Sequence, residues 1–375
     1  MNLELIEAIK ILASFQALLF AAYLLSSKRN RNTANYFISI FLIVLGINTS
    51  VFIQEIYILP YFPTLHVAIN ISFFLMPASL FLYNKFSLQT NAKVTRKELI
   101  HLVPFILINV IVLPSVYIEN SKENPTETAY LKILQLALYI LFYVLIFIYQ
   151  YLSFQLLKKN KEHYFENYSN NDLRKYKYLK DLNIIFTVMF VISAIKNFFV
   201  FQEIGVYTEA LILTINFSLL LFFCWIIYKG LQSPELFRQP KETLPPVKKM
   251  VEQNKTSTNE NENAKALEQI KTYMSNEQPF LDPSLSIQDL ARQTSMKAKD
   301  LSLLINNYLG KHFFDFVNEY RINKAIEILK DPSQRDLTVL EIMYDVGFNS
   351  KSSFNTSFKN QTGLTPTQYR KSQHS

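Results

Sequence analysis

Seven apolar stretches, each close to the length needed to cross a bilayer, fill the first 230 residues of the chain and then stop. They run over residues 3–26, 35–55, 65–86, 99–118, 131–157, 182–201 and 208–228. A membrane's hydrocarbon core is roughly 30 Å thick and takes about 20 apolar residues of helix to span. Backbone groups find no water there, so each stretch must satisfy its own hydrogen bonds as a helix. The pattern predicts a seven-helix transmembrane bundle. The competing arrangement, one large buried bundle of a soluble protein, fits poorly with seven such runs joined by polar connectors. The first stretch lacks a basic leader and a small-residue cleavage site, so it reads as a retained span and not a signal peptide. Pro77, Pro104 and Pro114 fall inside runs and are expected to kink them.

The connectors set an orientation. Lys28, Arg29 and Arg31 lie between the first two stretches, and Lys85, Lys93, Arg96 and Lys97 around the link from the third to the fourth. The link from the fifth to the sixth holds Lys158, Lys159, Lys161, Arg174, Lys175, Lys177 and Lys180. The alternate connectors carry a single basic residue, Lys122. Basic residues stay on the cytoplasmic side, so the N-terminus is expected outside and everything after residue 231 inside.

Charged and polar groups within the runs concentrate on the external half: Glu7, Lys10, Glu55, His66, Asn70, Lys196, Glu203 and Glu209. Most read equally well as helix-end anchors or local pairs, such as Glu7 with Lys10 three residues on. Lys196 differs, because Ile195 and Phe198 to Phe201 surround it in sequence. An ionisable group in such a run faces the bundle interior or a cavity. Lys10, Glu55, Lys196 and Glu203 are the candidate signal-sensing residues.

Composition excludes several chemistries. The single cysteine, Cys224, permits no disulfide within the chain, and the five histidines are too scattered for metal-ligand spacing. No HExxH, GxSxG or glycine-rich phosphate loop occurs. The reading is therefore of a non-enzyme with no catalytic residue, metal or cofactor.

Past residue 231 the character changes. Pro234, Pro240, Pro245 and Pro246 break any helix, and a polar, charge-mixed stretch follows to residue 263. Residues 232–263 read as a flexible cytoplasmic linker, with 1–231 the membrane domain and 264–375 a third segment. Leu267, Ile270, Tyr273 and Met274 share one face of a helix that either packs on the following domain or pairs two chains as a homodimer.

From Ser286 onward two short helix-turn-helix patterns flank a longer amphipathic helix. Ser286 can cap a helix holding Ile287, Leu290 and Ala291; after a break at Ser295–Met296, Leu301, Leu304 and Ile305 recur until Gly310 ends the run. Thr338 can cap a helix holding Val339, Ile342 and Val346. Gly347 supplies a tight turn, Phe348 plugs it, and Phe354 and Phe358 form the inner stripe of the next helix, up to Gly363. Pro366 suits the first position of a last helix. The connecting helix, about 313–330, carries Phe313, Phe316, Val317, Tyr320, Ile326 and Leu329 on its apolar stripe. It is roughly 27 Å long at 1.5 Å per residue, near one DNA turn, so two helices could enter successive major grooves.

Leu290-Ala291, Leu301-Ser302, Asn318 through Arg321, Gly347-Phe348, Phe354, Phe358-Lys359, Gly363, Thr365-Pro366 and Tyr369-Arg370 together make the last quarter of the chain resemble the DNA-binding domain of the AraC/XylS transcription regulators. The sequence departs from that pattern at Met343, where a small residue is usual, at Ser295, where glycine is common, and at Lys297, often a capping serine. The resemblance implies an all-α double helix-turn-helix domain that binds double-stranded DNA at promoter sites.

Between Val346 and Ser375 there is no acidic residue, while Lys351, Lys359, Arg370 and Lys371 are present, a distribution suited to phosphate contact. By position, Lys297, Lys299, Ser302 and Asn306 in the first motif and Asn349, Ser350, Lys351, Ser352 and Asn355 in the second are expected to face the groove. Lys359 and Arg370 are expected at the backbone. Asn can pair with adenine and Lys with guanine O6/N7; the competing reading of each is a solvated polar side chain on a helix.

A helix-turn-helix fixed to a membrane is useful only where chromosome and membrane share a compartment, which points to the cytoplasmic membrane of a bacterium. The expectation is an all-α, membrane-anchored, signal-responsive transcription regulator, in contact with lipid, DNA and an unidentified external or intramembrane ligand or membrane partner. A transporter, or a passive anchor, carrying a regulatory DNA-binding tail is the alternative.

Overall fold

The computed structural model describes residues 3–26, 32–89, 94–120, 129–167, 173–201, 205–238 and 260–373. Every regular element among them is helical. The chain forms two compact units, Met1–Leu157 with Tyr178–Lys241, and Lys158–Lys177 with Glu242–Ser375.

The first unit begins with α1 (Leu3–Ser26) and α2 (Thr33–Thr49), which cross closely at Gly46. A Cβ there would lie 3.0 Å from that of Ala17, and Ser14 Oγ donates to the Gly46 carbonyl at 2.8 Å. After Ser50 the chain continues as α3 (Val51–Tyr57) and α4 (Pro63–Ile71). A 3₁₀ turn, Ser72–Leu75, precedes α5 (Met76–Ser87), whose second residue is Pro77. Proline here removes a helical donor, and the helix type changes just before it. Pro104 likewise sits at the start of α6 (Val103–Asn120), just after a 3₁₀ turn over Arg96–Leu102. Then follow α7 (Ala129–Asn167), α8 (Leu173–Phe201) and α9 (Gly205–Gln232).

Among the described residues, five helices are long and apolar enough to cross a membrane: Leu5–Ser26, Pro63–Ser87, Leu136–Lys161, Lys175–Phe201 and Ala210–Gln232. Of the other two expected spans, Thr33–Thr49 is shorter than the usual minimum because Ser50 breaks the helix, and α6 is described by its backbone alone from residue 113. With 39 residues, α7 is about 58 Å long at 1.5 Å per residue, so it extends well past any apolar slab.

Aromatic rings hold the helices together. Phe186 of α8 packs on Phe41 of α2 at 5.3 Å and on Phe190 at 4.5 Å between centroids. Among the buried polar contacts, the amides of Asn84 and Asn183 pair reciprocally at 3.0 and 3.1 Å, tying α5 to α8. Such a pair is satisfied only in one register. The start of the expected linker belongs to this unit. Leu236 and Phe237, in a 3₁₀ turn over Pro234–Phe237, are buried, and the Phe237 carbonyl accepts from both Asn32 and Asn35 at 2.7 Å. Residues 239–259 of that linker lie outside the described residues.

The second unit contains α10 (Glu260–Glu277), α11 (Ile287–Gln293), α12 (Ala298–Leu309), α13 (Phe313–Lys330), α14 (Val339–Asp345), α15 (Lys351–Thr362) and α16 (Pro366–Gln373). Ile270 and Met274 of α10 are wholly buried, so its apolar face is used within the domain and is not left for a second chain.

Two hydrophobic cores lie here. One gathers Ile270, Met274, Leu290, Leu301, Ile305, Phe313 and Val317; the other Ile322, Ala325, Leu329, Ile342, Phe348, Phe354 and Phe358. The helix α13 runs through both, and Arg321 stands where one ends and the next begins. Its guanidinium is buried, donating to the carbonyls of Phe280 at 2.6 Å and Asp282 at 2.8 Å and to Asn318 Oδ1 at 3.3 Å. It also lies 5.6 Å from the centroid of the Phe348 ring. Burial lowers its pKa to about 9, opposed by Asp282, so the side chain still carries its charge at pH 7. Gly347 completes the seam: with φ at +88°, a Cβ there would fall 2.6 Å from the Phe280 carbonyl oxygen. Only glycine allows that approach.

Two outcomes test this account in the fragment 260–375. Arg321→Met strands two buried carbonyls and should cost about 2–5 kcal/mol in urea unfolding. A loss below about 0.5 kcal/mol, the size of an ordinary surface change, would deny the seam any structural role. Ser295 has φ of +55°, a left-handed conformation unfavourable for a side chain. Ser295→Gly should therefore stabilise by about 1 kcal/mol, raising the melting midpoint by roughly 4–8 °C in calorimetry.

Candidate nucleic-acid interface

The two helix-turn-helix motifs are built alike. Ser286 Oγ accepts from the Asp289 amide at 3.3 Å while the Asp289 carboxylate takes the Ser286 N–H at 3.2 Å. Fifty-two residues later, Thr338 and Glu341 repeat this reciprocal cap at 3.1 and 2.7 Å. Such a box satisfies two otherwise open donors at each helix start. Hydrogen bonds to Thr338 hold the Glu341 carboxyl below its ordinary range.

Each first helix ends in a left-handed residue, Ser295 in one motif and Gly347 in the other. The next N–H then bonds back five residues: Met296 to Ala291 and Phe348 to Met343, both at 2.9 Å. Glycine's absence at Ser295 is tolerated because the turn hydrogen bond still forms. Met343, in place of a small residue, is buried against the second core.

The second turn is one residue longer. Asn349 is the addition, and Ser350 then caps α15 by accepting from the Ser353 amide at 3.5 Å. In α12 the capping position falls to Lys297, whose side chain makes no cap. Beyond the turn, Leu301 matches Phe354 and Ile305 matches Phe358, all buried. Both helices end at left-handed glycines, Gly310 with φ of +62° and Gly363 with φ of +77°.

This register sorts the expected reading residues. Lys297, Lys351, Ser352 and Lys359 are exposed, and Lys299, Asn306, Asn349, Ser350, Asn355 and Arg370 are half-buried. Ser302 is not available. It is only 1% exposed, because its short side chain sits beside Leu301 on the inner face, beneath longer neighbours. Its counterpart Asn355 is long enough to reach out from the same place. Asn306 donates to the Ser302 carbonyl at 3.0 Å, which holds its amide along the helix. Two residues had no assigned task at the sequence level. Arg321 fixes the motifs relative to each other, and its signal was a cation on the path of an apolar stripe. Gln361 donates to Asn323 at 2.6 Å and braces α15 against α13.

Of the sensing candidates, Lys10 and Lys196 line one cavity in the first unit, whereas Glu55 is exposed on α3, away from it. Glu203 lies outside the described residues.

A helix-turn-helix domain model matches residues 290–372. The uncharacterized HTH-type transcriptional regulator YdeC of Bacillus subtilis (strain 168) is 30% identical over 87 residues, covering 23% of this chain and 29% of that protein. The melibiose operon regulatory protein of Escherichia coli (strain K12) is 29% identical over 90 residues, covering 24% and 29%. The C-terminal domain of AraT, a response regulator from Geobacillus stearothermophilus, aligns at 27% identity with a TM-score of 0.25, covering 28% of this chain and 84% of that one. The likeness to the two curated relatives thus spans under a third of their length. Matched capping boxes, matched turns, the domain match and the two curated relatives lead to one statement: the C-terminal part of the chain is an AraC-type helix-turn-helix domain.

Proposed function

We propose that the chain is a membrane-anchored, signal-responsive transcription regulator of the bacterial cytoplasmic membrane. The observation that carries it is the joining, in one polypeptide, of helices long enough to cross a bilayer and an AraC-type DNA-binding domain. The charge asymmetry of the connectors supports an N-terminus outside and a DNA-binding domain in the cytoplasm. This orientation needs an odd number of spans, and counting Thr33–Thr49 and α6 with the five longer helices makes seven, which keeps the basic connectors on one side.

In this reading α12 and α15 each enter a major groove, and a single chain reads two blocks one helical turn apart. Lys297, Lys299 and Asn306, then Asn349, Ser350, Lys351, Ser352 and Asn355, line the reading edges, while Lys359 and Arg370 meet phosphates. The polar composition of residues 239–259, with Pro240, Pro245 and Pro246, is that of a linker, which would let the domain reach DNA from a fixed anchor. A transporter with a regulatory tail would need polar groups along the whole depth of the bundle, and the charged ones concentrate at one end. Passive anchoring leaves the cavity at that end without a purpose.

Reporter fusions test the topology. A reporter active only in the cytoplasm should work at residue 240 and after Lys161 and fail after Glu123; activity at Glu123 would rule out the orientation. For DNA reading, Lys359→Ala in fragment 260–375 should weaken all sequences alike and reduce the salt slope by about one. Asn355→Ala should cost about 1–3 kcal/mol on the preferred site alone. Equal losses on preferred and random DNA in a titration would remove Asn355 from the reading surface.

A further inference from the structure

A cavity of about 390 Å³ lies among α1, α2, α8, α9 and the 3₁₀ turn before α5. At roughly the 30 Å³ that a water molecule occupies in the liquid, it has room for on the order of a dozen non-hydrogen atoms. Its lining residues are of two kinds. Phe73, Phe186, Phe190 and Phe222 are among the apolar ones. Lys10 from α1 and Lys196 from α8, with Ser193, Asn48, Thr49 and Asn216, are the polar ones.

The charges do not balance. Glu7 pairs with Lys10 at 2.9 Å, so one carboxylate serves one of the two ammonium groups. Lys196 has no ion-pair or hydrogen-bond partner among the described residues. A cation in an apolar helical run, five residues from the end of α8, is costly unless an anion meets it. Ser193 is held in place by Tyr143, whose hydroxyl lies 2.9 Å from Ser193 Oγ and accepts from Asn197 at 2.7 Å. The lining therefore presents one uncompensated positive charge and a positioned hydroxyl together with phenyl rings.

We propose that this cavity binds a small amphipathic monoanion, a carboxylate with an aromatic or short acyl tail. The carboxylate sits between Lys10 and Lys196 and the tail enters among the four phenylalanines. Cationic ligands are repelled by the lysines, and neutral ones leave Lys196 unmet. A ligand so placed touches four helices at once and favours the arrangement in which they surround it. The inference rests on the sensor reading for its purpose, while the binding itself does not depend on it.

The test uses the full chain in lipid nanodiscs, with 4-phenylbutyrate, 4-phenylbutan-1-ol and 4-phenylbutylamine as matched probes and empty nanodiscs as the blank. The acid should bind saturably and about ten- to a hundredfold more tightly than the alcohol, as a hydrogen bond to a charged group implies, and the amine should not bind. Lys196→Met should erase the preference for the acid over the alcohol, and Lys196→Arg should keep it. Equal binding of acid and alcohol by the natural protein, or an unchanged preference in a folded Lys196→Met chain, would overturn the proposal. If Lys196→Met does not fold, the comparison of the three probes on the natural protein decides alone. The two readings part in a second measurement, occupancy of the preferred DNA site by the intact protein. Saturable acid binding without any change in occupancy upholds the cavity and removes the sensor reading. No acid binding removes the cavity and leaves the regulator standing.

Discussion

One guanidinium sets the geometry of the DNA-binding half. Arg321 is withdrawn from water on a helix that belongs to two cores, and it is satisfied by main-chain carbonyls of the turn that closes the first. A buried charge is tolerated only with such partners, and the cost of stranding them makes the arrangement hard to relax. Because Phe348, the plug of the second motif, lies against the same guanidinium, both turns refer to one fixed group. Gly347 permits the approach that Arg321 then secures. The turn at Phe280–Asp282 and the plug of the second motif are in this way held to one point of the connecting helix.

The repeat of the motifs has its own lesson. Capping boxes, left-handed turns and inner stripes recur almost residue for residue, yet the single insertion at Asn349 changes the start of the second helix. Ser350 caps there, while Lys297 in the corresponding place cannot. The first helix therefore begins with a long cation free to extend, and the second with a hydroxyl committed to its own backbone. Two modules of one design acquire different reading edges through one added residue.

In the first unit the physical constraint is of another kind. In the proposed membrane reading lipid offers no polar partners, so polar groups inside the bundle are best met by protein or by a ligand. Asn84 and Asn183 meet each other. Ser14 meets the Gly46 carbonyl at a close crossing. Lys10 has Glu7. Lys196 has no such partner among the described residues, and its place beside a cavity is what turns an expensive residue into a proposal about ligand chemistry.

The sequence by itself determined the helical class, the AraC-type motifs, their caps at Ser286 and Thr338, their stops at Gly310 and Gly363, and the extent of the connecting helix, Phe313–Lys330. These are local matters, governed by periodicity, caps and glycine conformation within a few residues. Lys196 was also legible as a candidate, because a cation among phenylalanines is conspicuous in one dimension. What the sequence could not tell was which distant group each side chain meets. Ser302 reads as a groove residue by position, but the depth at which a short side chain lies is set by its neighbours' packing. Arg321 reads as a surface cation on an amphipathic helix until the turn at Phe280–Asp282 is brought over it. Leu236 and Phe237 read as the start of a linker until Asn32 and Asn35 claim the carbonyl of Phe237. Lys10 and Lys196 are 186 positions apart and come to one cavity only when α1 and α8 pack. Tertiary structure decided each of these, since burial and polar satisfaction are properties of surfaces brought together across the chain and not of the segment that supplies one side of the contact.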